Sequence, residues 1–436
     1  MEQRMIKIGV LGGFRGNSIM RCCKLAKNAQ VVAICDKRED VIARQKEQNK
    51  GLDIAYYMDF EEFIQHDMDA VILANYATEH APFAIKAMKA GKHVYSECLP
   101  VQTMKEAVEL IEAVEETGMI YAYGENYCYM AAPYEMRKLY KEGVLGEFEY
   151  GEGEYIHNCE PIWPKITYGD KDHWRNNLYS TFYCTHSLGP IIHITGLRPV
   201  SVIGIESQMN ARKLRCGAKG GLFGILMVTL ENGGIIKSIH GDLYKNSIWY
   251  SVYGSKGRAE SAREDAQNGD DQRIYVNVDP YSGAYKKQDI KNYLPREGKE
   301  DEYAGTGHGG SDYYAVCNFL EKLLGNPDAD IIDVYEAMDM FLPGLLGYRS
   351  ILNGSTPVEI PNLRDKAVRD LYRNDVACTD PKIAGDQLLP TTATGTPDIP
   401  DEIYHLMYNK WQDMLKKAKT AKELSADIEM IKEDKK

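Results

Sequence analysis

An α/β domain on a parallel sheet, followed by an α+β domain with a large, mainly antiparallel sheet, is the architecture this sequence predicts. Three observations predict it. Over residues 1–125, short apolar runs alternate with helical patterns, the mark of βαβ units. From residue 126 the runs become longer, β-rich and joined by hairpin-type turns. The stretch 376–436 opens on a linker-like segment, Pro390 to Pro397, and closes on a helical stripe. The expected division is therefore 1–125, 126–375 and 376–436. At 436 residues, 44% hydrophobic and 27% charged, the chain has the composition of a globular protein with a full core.

In order, Ile6 to Leu11, Val31 to Cys35 and Ala70 to Ala74 read as strands. Ala81 to Ala90 reads as a helix stopped by Gly91, and His93 to Tyr95 begins the next strand. Met104 to Glu116 is amphipathic and stops at Gly118, before a strand from Ile120 to Tyr123. Tyr134 to Glu142 is helical. Phe223 to Leu230, then Asn232-Gly233, then Ile235 to His240 predicts a hairpin. Tyr250 to Tyr253 begins a further strand. Residues 265–310 are polar and Gly-rich and predict a long loop. Tyr313 to Leu324 and Val334 to Leu352 predict helices. In the tail, Ile403, Leu406, Trp411, Met414 and Leu415 fall at helical spacing, which predicts an appended helix packed on its own domain or a sister subunit.

The first strand runs into Leu11-Gly12-Gly13-Phe14-Arg15-Gly16 and then a helix. Glycines there let the backbone approach a pyrophosphate lying on the helix N-terminus, which makes the first domain a candidate Rossmann domain. Asp36 ends the second strand, where a carboxylate bonds the adenosine ribose hydroxyls and repels a 2′-phosphate. NAD is therefore expected over NADP, with Lys37 and Arg38 softening the preference. The bland reading of the same residues is a Gly-rich turn beside a solvated Asp.

The net charge of −12 argues against a nucleic-acid partner, and no apolar run reaches the length of a membrane span. Met1-Glu2-Gln3-Arg4 passes directly into the apolar run at Met5, leaving no room for a signal peptide. Ten cysteines without CxxC spacing fit reduced thiols. A cytoplasmic protein is expected. Asp170, Asp172 and His173 cluster, but in a Gly-, Asp- and Asn-rich segment that reads as a solvated loop, so no metal is expected.

Ala70 to Ala74, His80, Ala90-Gly91-Lys92-His93-Val94 and Glu97 together resemble the glucose–fructose oxidoreductase, inositol dehydrogenase and MocA (Gfo/Idh/MocA) superfamily. Dehydrogenases of that superfamily carry a catalytic lysine directly after the glutamate; here Cys98 stands there. Tyr183-Cys184-Thr185-His186-Ser187-Leu188-Gly189-Pro190, Gly307-His308-Gly309-Gly310-Ser311-Asp312 and Asp333 to Ala337 are similar to segments of glycoside hydrolase family 109, the NAD-dependent α-N-acetylgalactosaminidases. That group also lacks the lysine. Glu125-Asn126, Gly146-Glu147, Tyr155 and His157 fall in the same order. The likeness spans roughly residues 5–375 and leaves the tail unmatched.

What the resemblance implies is a redox glycosidase, which oxidises carbon 3 of a sugar, eliminates the aglycone, adds water and re-reduces. Tyr155 would be the base at carbon 2, and His186 with Tyr183 would handle the carbon 3 hydroxyl. His157, Trp174, Arg175 and His308 would line the sugar pocket. Gly12, Gly13, Phe14, Arg15, Gly16, Asp36, Arg38, Asn75, His80, Glu97, Cys98 and Glu125 would hold NAD, with Glu125 near the nicotinamide ribose. The partner is a small sugar or glycoside, and a homo-oligomer is expected. The alternatives are a plain NAD-dependent sugar or glycoside 3-dehydrogenase, and a non-catalytic Rossmann protein that binds NAD or a sugar.

Overall fold

The computed structural model describes residues 4–264, 272–279, 289–296 and 306–433, with side chains described to residue 418. β1 (Ile6–Leu11), β2 (Ala29–Cys35), β3 (Ala55–Tyr57), β4 (Ala70–Leu73), β5 (His93–Ser96) and β6 (Tyr121–Tyr123) form a six-stranded sheet in the order β3-β2-β1-β4-β5-β6. Every pairing is parallel. β4 is buried at all four residues, as expected for a strand covered on both faces. Helices α1 (Gly16–Ala26), α2 (Glu39–Gln48), α3 (Phe60–Phe63), α4 (His80–Lys89) and α5 (Met104–Thr117) supply the cover. α5 starts where the Thr103 hydroxyl accepts the Glu106 amide at 3.1 Å, and stops at left-handed Gly118. The strand order reverses between β1 and β4, so a crevice opens at their carboxyl ends, where such sheets bind ligands.

The second sheet has nine strands, in the order β14-β13-β12-β11-β7-β10-β9-β8-β15. They are β7 (Phe148–Ile156), β8 (Pro199–Glu206), β9 (Phe223–Leu230), β10 (Ile235–Gly241), β11 (Ser247–Gly254), β12 (Gly257–Ser261), β13 (Ile274–Val278), β14 (Asp289–Tyr293) and β15 (Val358–Glu359). The β7–β10 pairing is parallel and the other described pairings are antiparallel. α6 (Ala131–Lys141) leads into this sheet, with Pro133 in its first turn, where no intrahelical donor is lost. α8 (Thr185–Thr195) and the helix Val334–Leu352 lie on one face. A Cβ on Gly204 of β8 would come within 2.1 Å of the Gly347 carbonyl, so bare backbone lets that helix seat on the sheet.

Two expectations are corrected. The long loop expected over 265–310 contains β13 and β14. Ile274 and Val276 alternate into the core, an apolar signal too short to stand out among polar neighbours. In the tail, the helix Asp401–Glu433 buries Tyr404, Met407 and Trp411, whereas Leu406 is 46% and Leu415 36% exposed. The buried stripe is thus displaced from the expected one. It packs on α7 (Trp163–Thr167) and α9 (Ala211–Cys216), two short helices that follow β7 and β8. The linker-like segment before it is anchored too: the buried Thr391 hydroxyl donates to the Lys219 carbonyl at 2.9 Å.

Candidate active site

A single cavity of about 940 Å³ runs from the β1–β4 crevice to the carboxyl end of β7. It is at the upper end of the range for small-molecule and cofactor sites, about 300–1,000 Å³.

At the crevice end, Gly12 has φ 96° and sits so close to β4 that a Cβ would meet the Ala74 carbonyl at 2.4 Å. The Asp36 carboxylate accepts the Gly13 amide at 2.8 Å and the Arg38 amide at 2.9 Å, one on each oxygen. Each oxygen keeps a lone pair for a ribose hydroxyl. Burial lifts the Asp36 pKa above its ordinary value, and those two amides restrain the rise. Phe14, Arg15, Arg38, Asn75, Glu97 and Cys98 also line this end. The Asn75 side-chain oxygen is buried without a partner among the described residues, an acceptor available to a bound group. A glycine cradle, a helix N-terminus and a terminal carboxylate fit a dinucleotide.

The other end is built on a lane of bare backbone. Gly151, Gly153 and Tyr155 share one face of β7. A Cβ on Gly153 would lie 1.7 Å from the Ser187 carbonyl, so α8 rests directly on the strand. His186, in the first turn of α8, thereby reaches Tyr155, with ring centroids 4.7 Å apart. Pro190 has no N–H for the carbonyl four residues back, which is that of His186. The Tyr250 hydroxyl donates to this freed carbonyl at 2.5 Å and pins the turn.

His186 turns Nδ1 to Glu125, at 2.8 and 3.0 Å from its two oxygens. The Thr185 hydroxyl donates to Glu125 at 2.8 Å, and the Cys98 thiol lies 3.4 Å away. Burial works to raise the Glu125 pKa, but His186, Thr185 and Cys98 bring it net below the ordinary carboxylate value. An ionised carboxylate holding Nδ1–H leaves Nε2 as the cavity-facing atom of His186, the arrangement of an acid–base dyad.

Tyr155 is surrounded. Tyr127 meets it edge-on at 5.2 Å, and His240 stacks on it at 5.6 Å. The parallel β7–β10 register sets His240 directly beside Tyr155. Burial, then Tyr127 and Cys159, push the Tyr155 phenol well above its usual pKa, so it is a protonated donor at neutral pH. Burial lowers His240 to about 3 despite its contact with the Ser180 carbonyl, so that ring is neutral. Burial also lowers His157, whose Nδ1 meets the Cys159 thiol at 3.3 Å. Tyr183 is raised by burial and restrained by Arg175.

A second knot ties the two domains together. Arg15 bridges Glu97 at 2.7 Å and Asp312 at 2.8 Å. Asp312 also accepts Asn126 at 2.7 Å and contacts His308 Nδ1 at 3.0 Å. Burial works to raise the Asp312 pKa, but His308 and Arg15 hold it well below the carboxylate range. Gly307, Gly309 and Gly310 all have positive φ, which shapes the turn that brings His308 to the cavity.

The structure thus gathers Tyr155, His157, Trp174, Arg175, Tyr183, His186 and His308 around one cavity, with the cofactor-loop residues at its other end. Three expected cofactor contacts lie elsewhere. Gly16 does not line the cavity; a Cβ there would come within 2.6 Å of Val10 Cγ1, so its absence makes room for that side chain. His80 is buried, its Nδ1 2.8 Å from the Leu99 carbonyl, and it holds the turn after β5. Glu125 is fully buried beneath His186 instead of facing a ribose. Asn126, Tyr127, His240 and Asp312 were missed as site residues. Asn126 and Asp312 belong to the Glu125-Asn126 and Gly307 to Asp312 segments, whereas nothing local marks Tyr127 or His240. Among the described residues, Cys98, Glu125 and His186 are the group close enough to share a metal, their ligand atoms all within 4.8 Å. Those atoms are already hydrogen-bonded to one another. Asp170 and His173 accept the backbone amides of Asp172 and Arg175, as turn caps do.

Residues 5–125 match the oxidoreductase family, NAD-binding Rossmann fold (Gfo/Idh/MocA), and residues 246–368 match the glycosyl hydrolase 109 C-terminal domain. A glycosyl hydrolase family 109 protein of Solibacter usitatus is 26% identical, covering 82% of this chain and 88% of its own. An alpha-N-acetylgalactosaminidase of Shewanella oneidensis is 25% identical over 83% of this chain and 85% of its own. Among solved structures, myo-inositol 2-dehydrogenase from Lactobacillus plantarum superposes with TM-score 0.63 at 18% identity, covering 82% of this chain and all of that one. The WlbA dehydrogenase of Bordetella pertussis, in complex with NADH and UDP-GlcNAcA, gives 0.65 at 17% identity over 83% and 99%. The N-terminal domain is an NAD-binding Rossmann domain.

Proposed function

Since this chain joins a Gfo/Idh/MocA NAD-binding domain to a glycosyl hydrolase 109 C-terminal domain, we propose that it is a redox glycosidase acting on a small glycoside. The observation that carries the reading is the Glu125–His186 dyad set beside Tyr155 at the far end of a dinucleotide crevice. When bound, NAD would supply a hydride acceptor and then a hydride donor for carbon 3 of the sugar, so that the net reaction would be hydrolysis.

His186 Nε2 takes the proton of the carbon 3 hydroxyl, and Glu125 stabilises the imidazolium. The resulting ketone acidifies the proton on carbon 2. Tyr155 takes that proton, the aglycone leaves carbon 1 with the bonding pair, and water adds to carbon 1. The high pKa of Tyr155 sets the order: a His186 imidazolium with its ring 4.7 Å away favours the phenolate, the phenol gives its proton to solvent water before it takes the one on carbon 2, and it protonates carbon 2 again when water adds to carbon 1. Tyr183 hydrogen-bonds the same hydroxyl, and Arg175, stacked on Trp174 with its guanidinium 4.4 Å from the ring, braces the sugar.

One observation favours a second reading, the 3-dehydrogenase. The dyad alone suffices for oxidation, and burial keeps Tyr155 protonated in the resting site. Stoichiometry separates the two. With a panel of nitrophenyl glycosides, the redox glycosidase releases nitrophenol without net NADH. NADH accumulating mole for mole with sugar consumed overturns the glycosidase and leaves the dehydrogenase.

A further inference from the structure

The cavity is roofed at its nucleotide end by residues 159–169, which contain α7 and set Lys165 Nζ 5.6 Å from the Phe14 ring, and this roof has its own packing. Trp163, Cys216 and Ala218, with Cys159 and Ile166 against them, form a small apolar cluster separate from the main core. His173 to Arg175 continue from the roof along the cavity wall, where Trp174 joins the main core. His173 is 3% and Trp174 9% exposed, and His173 Nε2 and Trp174 Nε1 have no hydrogen-bond partner among the described residues. Arg175 hydrogen-bonds Tyr183 and stacks on Trp174 at 4.4 Å. Buried donors left open beside a cavity are a site awaiting a ligand.

Two left-handed residues, Tyr168 (φ 57°) and Gly169 (φ 67°), carry the turn out of α7. The Tyr168 ring covers the Arg38 guanidinium at 3.7 Å, two residues after Asp36 in the cofactor crevice. Behind the roof lies the C-terminal helix. Trp411 meets Tyr168 edge-on at 5.7 Å. Gly169 admits the helix backbone, since a Cβ there would come within 2.2 Å of the Tyr408 amide nitrogen. Gly217, which ends α9, does the same for the Tyr404 ring, whose hydroxyl donates to the Gly217 carbonyl at 3.1 Å. Lys171 and Asp401 add an ion pair at 2.5 Å on the outside. A contact path therefore runs from Trp411 through Tyr168 to Arg38.

We propose that the C-terminal helix is the latch of the cofactor site: Trp411 holds residues 159–169 down over the nucleotide, Tyr404 anchors the helix to α9, and together they set how slowly NAD leaves. Trp411 and Tyr404 are positioning residues, since neither lines the cavity. A roof with only a small core of its own opens readily by itself, and the helix supplies the missing packing. This inference rests on NAD binding in the crevice, and a cycle that regenerates NAD⁺ in place gains from slow release.

The test uses the full chain loaded with NADH and chased with excess NAD⁺, following the loss of bound-NADH fluorescence. Trp411→Ala releases the nucleotide about 10-fold faster or more, and Trp411→Phe, which keeps the ring contact, stays within about 3-fold of the parent. The melting temperature of the nucleotide-free protein separates a latch from general destabilisation: a latch leaves it near the parent's while release speeds up. If Trp411→Ala does not melt cooperatively, Tyr168→Ala, altered on the roof side of the contact, must speed release instead. Parent-like release from folded Trp411→Ala or Tyr168→Ala overturns the latch. Asp36→Ala is measured alongside. If it too leaves NAD binding unchanged, the crevice assignment fails, not the latch alone.

Discussion

Glu125→Gln isolates the dyad. The wild-type carboxylate is fully buried, accepting from His186 at 2.8 Å and from Thr185 at 2.8 Å. A carboxamide has one acceptor oxygen, so either Thr185 or His186 meets an N–H instead. If His186 loses its acceptor, the imidazole settles in the tautomer with hydrogen on Nε2 and can no longer take a proton from the sugar. Losing an oriented base costs about 10²- to 10⁴-fold, or about 3–5 kcal/mol of transition-state stabilisation. The fold itself loses about 1–3 kcal/mol, the scale of one buried hydrogen bond left unmade. Single-turnover reduction of bound NAD⁺, followed by nicotinamide absorbance, measures the first effect, and a denaturant midpoint the second. NAD affinity is expected to hold, because Glu125 does not line the cavity. Oxidation within about 3-fold of the parent would refute the dyad. Affinity falling in step with the rate would return Glu125 to the ribose contact that the resemblance implied.

Asp36→Ala is expected to weaken NAD binding by about 1–3 kcal/mol, read by calorimetric titration. In heavy water, free sugar recovered from the reaction carries deuterium at carbon 2, and Tyr155→Phe cuts that exchange about 100-fold or more; full retention of the original proton, seen by NMR, sinks the elimination route. Gly153→Ala brings a Cβ to 1.7 Å from the Ser187 carbonyl, and a cost of about 2–4 kcal/mol or outright failure to fold is expected in a denaturant melt. Glu106 is pushed up from 4.5 to about 7 by burial, so the native state holds a proton that the unfolded chain has released. Its contribution is full below pH 4.5 and is lost as pH rises through about 7, and Glu106→Gln is expected to flatten that slope in the pH dependence of the melting temperature.

Much of the first domain is written locally. The apolar runs of β1 and β4, the glycine turn after β1, Asp36 at the end of β2 and Gly118 at the end of α5 each act within a few residues. Period and turn chemistry reveal them without tertiary context. The motif around Tyr183 and His186 was legible in the same way, but its partners were not. His240 stands beside Tyr155 because β10 pairs parallel to β7, and strand register between distant segments leaves no local mark. Glu125 lies under His186 because two glycines on β7 let α8 sink onto the sheet, a close approach that exists only once both elements are packed. The tail repeats the lesson. Its helical period was visible, yet the face it buries was decided by Gly169 and Gly217, well over a hundred residues earlier, which leave room for Tyr408 and Tyr404. Local backbone preference and patterning determine which elements form; excluded volume and pairing between distant segments decide which side chains meet.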